Sequence, residues 1–406
     1  MHPDVALETV TKAAAPRPTV LLPLDRALDH VVAEDIRSEE YVPACDISLM
    51  DGFAVRSSDF AQDSSESVTL RIVDYLPAGA TPSRGIEAGE AIRIMTGAPI
   101  PAGSDAVVRL EDTCDTACSN ETEVQVNTRP RPSEHIFHKG EDIRSGDLLV
   151  TSGTLLRPQE LGVLASVGRW EVLVHRRPRV AILATGDELV LPSARIVPGQ
   201  VRSSNSLTLL GQARQAGADV LDLGLVGDNL EQIVARLQSA ATADIIVTSG
   251  GSAAGDKDFT EQAIARLGTR IVFHRLAIRP GRPILFGVRG EMLFFGLPGN
   301  PVASMLTFEL FVRPAILKMR GLTRYARRKA KGILQQDVFQ HETSRRFYVR
   351  VRYEEGAEPK VFPAQHQGSL ALTSMSHANA LLAIEPGETC VPRGSVVTVT
   401  LLDEGA

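Results

Sequence analysis

Between residues 179 and 320 the chain alternates apolar runs with amphipathic stretches, and that rhythm leaves few folds open. RVAILAT is followed by helical spacing over 206–216, VLDLGLVG by 229–241, ADIIVTSGG by 259–267 and MLFFGLPG by 302–320. IVFHRLAI and PILFGV read as further strands between the last two helices. Near-continuous apolar strands are buried on both faces and need helices on each side. Strand–helix repeats give βαβ units with right-handed crossovers, so a central three-layer α/β/α domain with a mainly parallel sheet is expected.

The flanks follow other rules. Residues 66–130 alternate apolar and polar positions over short runs (SVTLRIVDYL, AIRIMTGAPI, DAVVRLEDT, TEVQVNT) divided by turn formers, which predicts a small β domain with hairpins. RRFYVRVRY, PKVFPAQ, ALLAIEP and GSVVTVTLL predict an all-β C-terminal domain. Helical spacing is expected over 4–13, 24–34 and 156–167, with Pro158 in a first helical turn. At 406 residues the chain exceeds one ordinary core, so the expected class is α/β and β multidomain.

The net charge of −6 and the lack of a long basic run argue against nucleic-acid or membrane-surface partners. The short basic run 324–331 reads as a solvated linker or helix end. No apolar run reaches the roughly 18 residues a membrane span needs, and the start shows no secretory pattern. Cys45, Cys114, Cys118 and Cys390 form no zinc pattern, so reduced thiols and a cytoplasmic location are expected.

In open parallel sheets ligands bind at the carboxyl ends of the strands. Four such ends carry unusual sequences. ILATGDELV delivers Asp187 and Glu188, which either hold a hard cation such as Mg²⁺ or only shape the turn. DIIVTSGGSAAGDKDF offers Ser249, Gly250 and Gly251, whose backbone N–H groups can cradle an anion, followed by Asp256 and Asp258, acids that suit a phosphate carrying a metal. A flexible, capped loop is the other reading. FHRLAIRPGRP clusters Arg275, Arg279 and Arg282 as candidate oxyanion ligands, or as surface arginines on an edge strand. GLPGNPVAS places Asn300 as an N-cap and Pro301 at the first helical position. Those two explain a capped turn, yet leave Gly296, Pro298 and Gly299 unexplained. An anion at the helix N-terminus would account for them.

Outside this region, SLMDGFAVRSSD presents Asp51, RIMTGAPIPAGSDAVV presents Thr96, and KGEDIRSGD presents Glu141 and Asp142. Each alone fits an ordinary turn. No Ser/His/Asp or Cys/His signature stands out, and the His135/His138 pair lacks a third ligand in a metal pattern. Carboxylates, glycines and arginines accumulate instead. That set suits metal-assisted phosphate or oxyanion chemistry, where positioning and charge outweigh a protein nucleophile.

In their order along the chain, SLMDGFAVRSSD, RIMTGAPIPAGSDAVV, KGEDI, ATGDEL, SGGSAAGDKDF, RLAIRPGRP and GLPGNPVAS resemble the molybdopterin molybdenumtransferase family, related to the C-terminal domain of gephyrin. The resemblance implies molybdenum insertion into adenylylated molybdopterin from molybdate, with Mg²⁺ and release of AMP. It also implies an elongated homodimer of four domains, with the active cleft between subunits and possible contacts to molybdopterin adenylyltransferase and apo-molybdoenzymes. The implied domains are 1–45 with 140–177, 46–139, 178–326 and 327–406. The implied catalytic residues are Asp51, Thr96, Asp142, Glu188, Asp228 and Asp258, with Glu188 and Asp258 on the metal. Implied for the substrate are Ser249, Gly250, Gly251, Asp256, Arg275, Arg279, Arg282, Pro298, Gly299, Asn300, Pro301, Ser369 and Ser374. The chain departs from the family pattern at Ser252-Ala253-Ala254 after SGG, where Val-Ser-Val is usual, and at the three arginines, where lysines are common. Two alternatives are adenylyl transfer from ATP and a non-catalytic, gephyrin-like scaffold.

Overall fold

A computed structural model of the chain describes residues 1–60, 67–114, 122–250 and 259–402. Residues 179–320 build a six-stranded sheet in the order Asp219–Val226, Arg179–Thr185, Ile245–Ser249, Met292–Leu297, Leu285–Arg289, Arg270–His274. The first four strands are parallel, and only Leu285–Arg289 runs against the rest, since its pairings with both neighbours are antiparallel. The mainly parallel sheet read from the sequence is therefore present. Its two faces follow from strand alternation. Val180, Ile182, Ile245, Val247 and Phe295 pack in one apolar cluster with the helices Ser204–Gln215 and Pro301–Thr307. Ala181, Leu183, Ile246 and Phe294 pack in another with Leu230–Ser239 and Phe259–Arg266. Phe286, Phe294 and Phe295 are among the largest fully buried side chains, each stabilising the core by about 2–3 kcal/mol.

The long helix expected over 302–320 is interrupted. Pro301–Thr307 runs into a π turn, Phe308–Val312, and then into Arg313–Met319. Pro314 lacks an N–H, and its ring would strike the carbonyl four residues back in a regular α-helix; a wider turn relieves both problems. The N-terminal helix Pro3–Ala13 buries Ala6 and Val10 in the same cluster as this long helix.

Three expectations need correction. Residues 24–34 form no helix: they make a 3₁₀ turn, Leu24–Arg26, and a short strand, Val31–Val32, paired with Glu171–His175. Pairing outcompetes the helix-like spacing of Leu24, Ala27 and Val31. IVFHRLAI is broken after His274, where Arg275 takes φ +70°. Its remainder, Ile278–Arg279, leaves the central sheet and pairs with Arg346–Glu354. Part of the basic run 324–331 is not a linker, since Lys329 opens the strand Lys329–Leu334.

Arg346–Glu354, Lys360–Pro363, Lys329–Leu334, Val396–Leu401 and Ala380–Ile384 pair successively, and the last pairs back to the first. The C-terminal part is thus a closed barrel around Val349, Val351, Val361 and Val399. Near the other end, a five-stranded sheet runs Ala106–Arg109, Gly52–Val55, Glu90–Ile94, Val68–Leu76, Glu123–Val126. Gly52 is required there because a Cβ would sit 1.9 Å from the Val108 carbonyl oxygen. A three-stranded sheet of Thr19–Pro23, Glu171–His175 and Val31–Val32 joins the two ends of this N-terminal half. Among the described residues, no helix is long and apolar enough to cross a membrane.

Candidate functional site

The strands Arg179–Thr185, Ile245–Ser249 and Met292–Leu297 are neighbours and end together. Beyond their carboxyl ends lies a cleft of about 330 Å³ lined by Thr185, Glu188, Ser203, Asn205, Ser249, Gly250, Gly299, Asn300, Pro301 and Leu370. Gly250 has φ +102°, and a Cβ there would meet the Thr185 carbonyl oxygen at 2.1 Å, so two strand ends can converge only over a glycine. Gly299 differs: its nearest would-be contact is Gly250 Cα at 3.6 Å, so the folded chain itself does not demand glycine at 299.

Ser249 Oγ receives a hydrogen bond from Asn205 Nδ2 at 2.8 Å and lies 3.4 Å from the Pro298 carbonyl. Asn205 Nδ2 also donates to the Gly299 carbonyl at 2.8 Å. Asn300 stands at the N-cap position with Pro301 first in the helix, yet its side chain makes no cap hydrogen bond. Its Nδ2 donates instead to Ser369 Oγ at 2.9 Å, and the Ser369 carbonyl accepts from the Val302 N–H at 3.2 Å. A loop of the C-terminal barrel therefore meets this helix end and places Leu370 on the cleft.

Polar satisfaction at this rim is incomplete. On the cleft, Thr185 Oγ1 and Asn205 Oδ1 are buried and have no hydrogen-bond partner among the described residues; Thr248 Oγ1, next to Ser249 but off the cleft lining, is in the same condition. Buried polar atoms are normally paired, so such a group at a cleft calls for an explanation. The acids nearby are Glu188, on the cleft, and Asp187, whose Oδ1 accepts the Asp228 N–H at 2.8 Å. For a divalent cation the donor type fits, since carboxylate and hydroxyl oxygens suit Mg²⁺. No group of three or more His, Cys, Asp or Glu that could hold a metal occurs among the described residues. Gly251, Asp256 and Asp258 lie outside the described residues.

The other expected residues fall elsewhere in the chain. Arg275 and Arg282 are exposed on a tight turn closed by the Leu276 N–H to the Arg282 carbonyl, and Arg279 lies 5.1 Å from the centre of the Phe347 ring. None of the three lines the cleft. Asp51 and Thr96 do come together: Asp51 Oδ1 accepts from the Thr96 N–H at 2.7 Å and from its hydroxyl at 2.8 Å. That backbone N–H, and then the hydroxyl, hold the Asp51 carboxyl below its ordinary value. Asp142 is exposed, with its N–H bonded to Val42. All three belong to the N-terminal half and lie off the cleft of their own chain.

Ser374 is tied to a residue that sequence reasoning missed. Arg350 is 0 % exposed, has no carboxylate partner among the described residues, and donates through Nε to Ser374 Oγ at 3.1 Å. Its Nη2 donates to the carbonyls of His366 and Gly368, both at 3.1 Å, while Nη1 is buried without a partner among the described residues. Burial pushes this guanidinium down to about 10, so it stays charged at neutral pH. It grips from behind the loop that carries Ser369 and Leu370. The available signal was a lone cation inside the apolar run FYVRV. Asn205, Thr185 and Thr248 were also missed, being ordinary polar residues of a helix start and two strand ends.

Three family models match in order: MoeA N-terminal region (domain I and II) over residues 1–168, probable molybdopterin binding domain over 181–318, and MoeA C-terminal region (domain IV) over 331–402. The molybdopterin molybdenumtransferase of Bacillus subtilis (strain 168) is 34% identical over 403 residues, covering 99% of this chain and 94% of the relative. That of Haemophilus influenzae is 34% identical over 390 residues, covering 95% and 94%. A crystal structure of the molybdopterin biosynthesis MoeA protein from Pyrococcus horikosii superposes with a TM-score of 0.83 at 31% identity, covering 100% of both chains. Sequence likeness over the whole length, together with this shared architecture, establishes that the chain belongs to the molybdopterin molybdenumtransferase family.

Proposed function

We propose that this chain is a transferase that inserts molybdenum from molybdate into adenylylated molybdopterin, yielding the molybdenum cofactor and AMP. The observation that carries the reading is the cleft at the carboxyl end of the parallel sheet, with its unpartnered oxygens and Glu188. Full-length likeness to relatives named for this activity favours it over adenylyl transfer or a non-catalytic scaffold.

In this reading Ser249, Gly250, Pro298, Gly299, Asn300 and Pro301 form the wall against which the pterin phosphate rests, and Gly251 and Asp256, outside the described residues, are assigned to the same substrate. Glu188 and Asp258 would hold Mg²⁺, which when bound neutralises charge on the phosphates. Arg275, Arg279 and Arg282, off the cleft of their own chain, would draw the incoming oxyanion towards it, with Ser369 and Ser374 on the barrel side. Bringing two anions to one place is the main catalytic task, and fixed cations and dipoles lower its cost. Asp228 orients Asp187 through its backbone. Asp51, Thr96 and Asp142 reach the cleft of a second copy in a homodimer. The division into 1–45 with 140–177, 46–139, 178–326 and 327–406 belongs to the same proposal. So do a cytoplasmic location and hand-over contacts with molybdopterin adenylyltransferase and apo-molybdoenzymes, without nucleic acid or membrane.

The test is purified protein with adenylylated molybdopterin, Mg²⁺ and micromolar molybdate, read as AMP release and as reconstitution of an apo-molybdoenzyme. Glu188→Ala should lower molybdate-dependent AMP release about a hundredfold while molybdopterin is still retained. Full turnover by that variant would remove Glu188 from the reaction.

A further inference from the structure

We infer that Asn205 determines specificity in the cleft, accepting through Oδ1 a hydrogen bond from an amino-bearing nitrogen heterocycle of the ligand. The inference rests on the reading that adenylylated molybdopterin occupies this cleft.

The residue is 8 % exposed and sits in the first turn of Ser204–Gln215. The orientation of its amide follows from chemistry. The Gly299 carbonyl can only accept, so Nδ2 must face it, and the second Nδ2 hydrogen is directed to Ser249 Oγ. Turning the amide over would set Oδ1 against that carbonyl. Both donors are thus used by the two turns that frame the cleft, and Oδ1 is left buried without a partner among the described residues. Thr185 Oγ1 and Thr248 Oγ1, at the ends of two adjacent strands, are in the same condition. Unpaired buried acceptors are costly, and one held rigidly at a cleft wall favours a ligand that brings a donor.

The chemistry of the donor narrows the choice. An ionised phosphate ester carries only acceptors and would be repelled by Oδ1. A pterin ring and an adenine ring each carry an exocyclic amine. Both are present in adenylylated molybdopterin, so the shared chemistry is an amino-substituted heterocycle edge.

Two ligand pairs separate the sources, because each exchanges the amine for a carbonyl: 6-hydroxymethylpterin against 6-hydroxymethyllumazine, and AMP against IMP. Affinities are measured by equilibrium dialysis for the unmodified chain and for Asn205→Leu, with Asn205→Ser used if the leucine variant does not fold. The unmodified chain should prefer the amino member of one pair by about tenfold or more, and the folded variant should lose that preference while still binding both members of the pair. A preference in the first pair assigns the pterin, and one in the second assigns the adenine. Equal affinity within both pairs, or a preference that survives the substitution, overturns the inference. Failure of the unmodified chain to retain molybdopterin itself would instead overturn the parent reading, and the role of Asn205 with it.

Discussion

The strand Ile245–Ser249 has two ends that obey opposite rules. Just before its first residue, Asp244 is buried and fully occupied: Arg176 donates to both carboxylate oxygens at 2.7 Å, the Arg179 N–H adds a bond at 2.8 Å, and Arg17 adds one at 3.2 Å. About 13 Å away along the strand, Thr248 Oγ1 is also buried and has no partner among the described residues. The first end joins the N-terminal segment to the sheet, and every group serves the fold. The second end leaves a hydroxyl unpaired and passes directly into Ser249 and Gly250, which line the cleft. One short strand therefore separates what keeps the protein folded from what lets it act.

Substitution at the satisfied end should have the largest effect. Asp244→Ala leaves Arg17 and Arg176 without their shared acceptor and should cost about 3–5 kcal/mol, read as a fall in the urea midpoint. A loss below about 1 kcal/mol would erase the contrast between the two ends.

Acid acts on the same group with a smaller, graded effect. Burial alone would raise the Asp244 carboxyl, but the Arg176 hydrogen bond, the Arg179 N–H and the two guanidinium charges together hold it below 3.8. A depressed carboxylate contributes stability that is present above its unfolded value and lost as pH falls through the folded one. Unfolding free energy should thus lose this contribution only below about pH 4, and Asp244→Asn should flatten that part of the profile. An unchanged profile would mean that other carboxylates govern acid unfolding.

The smallest stability effect belongs to the unsatisfied end, and its sign is the point. Thr248→Val exchanges an unpartnered hydroxyl for a methyl of similar shape, so stability should hold or rise by up to about 1 kcal/mol. A destabilised Thr248→Val would show that its hydroxyl is paired inside the protein after all.

Much of this was legible in the sequence where periodicity is long and unambiguous. The strands Arg179–Thr185, Ile245–Ser249 and Met292–Leu297 and the helices between them were read within a few residues, because burial on both faces leaves no alternative pattern. Residues 24–34 misled because Leu24, Ala27 and Val31 fall at helical spacing, while the pairing of Val31 and Val32 with His175 and Val174 is invisible locally. The π turn before Pro314 was hidden for a related reason: apolar spacing continues across it. At the cleft, Glu188, Ser249, Gly250 and Gly299 to Pro301 were named from their strand ends and do line it. Asn300 was expected to cap its helix, but tertiary contact with Ser369 takes its side chain away. Arg350 could not be valued from its strand, because it alternates to the face opposite Val349 and Val351 and is buried there by the loop carrying His366, Gly368 and Ser374, which is distant in sequence.

The closed barrel has a consequence for modular exchange. Its wall includes Ile278–Arg279, contributed from within the central unit and paired to Arg346 and Phe347. A chimaera joined near residue 326 would keep every apparent module intact and still strand that pair against a foreign edge. That pairing crosses the proposed boundary, so a transplanted barrel would have to bring residues 275–282 along as its own.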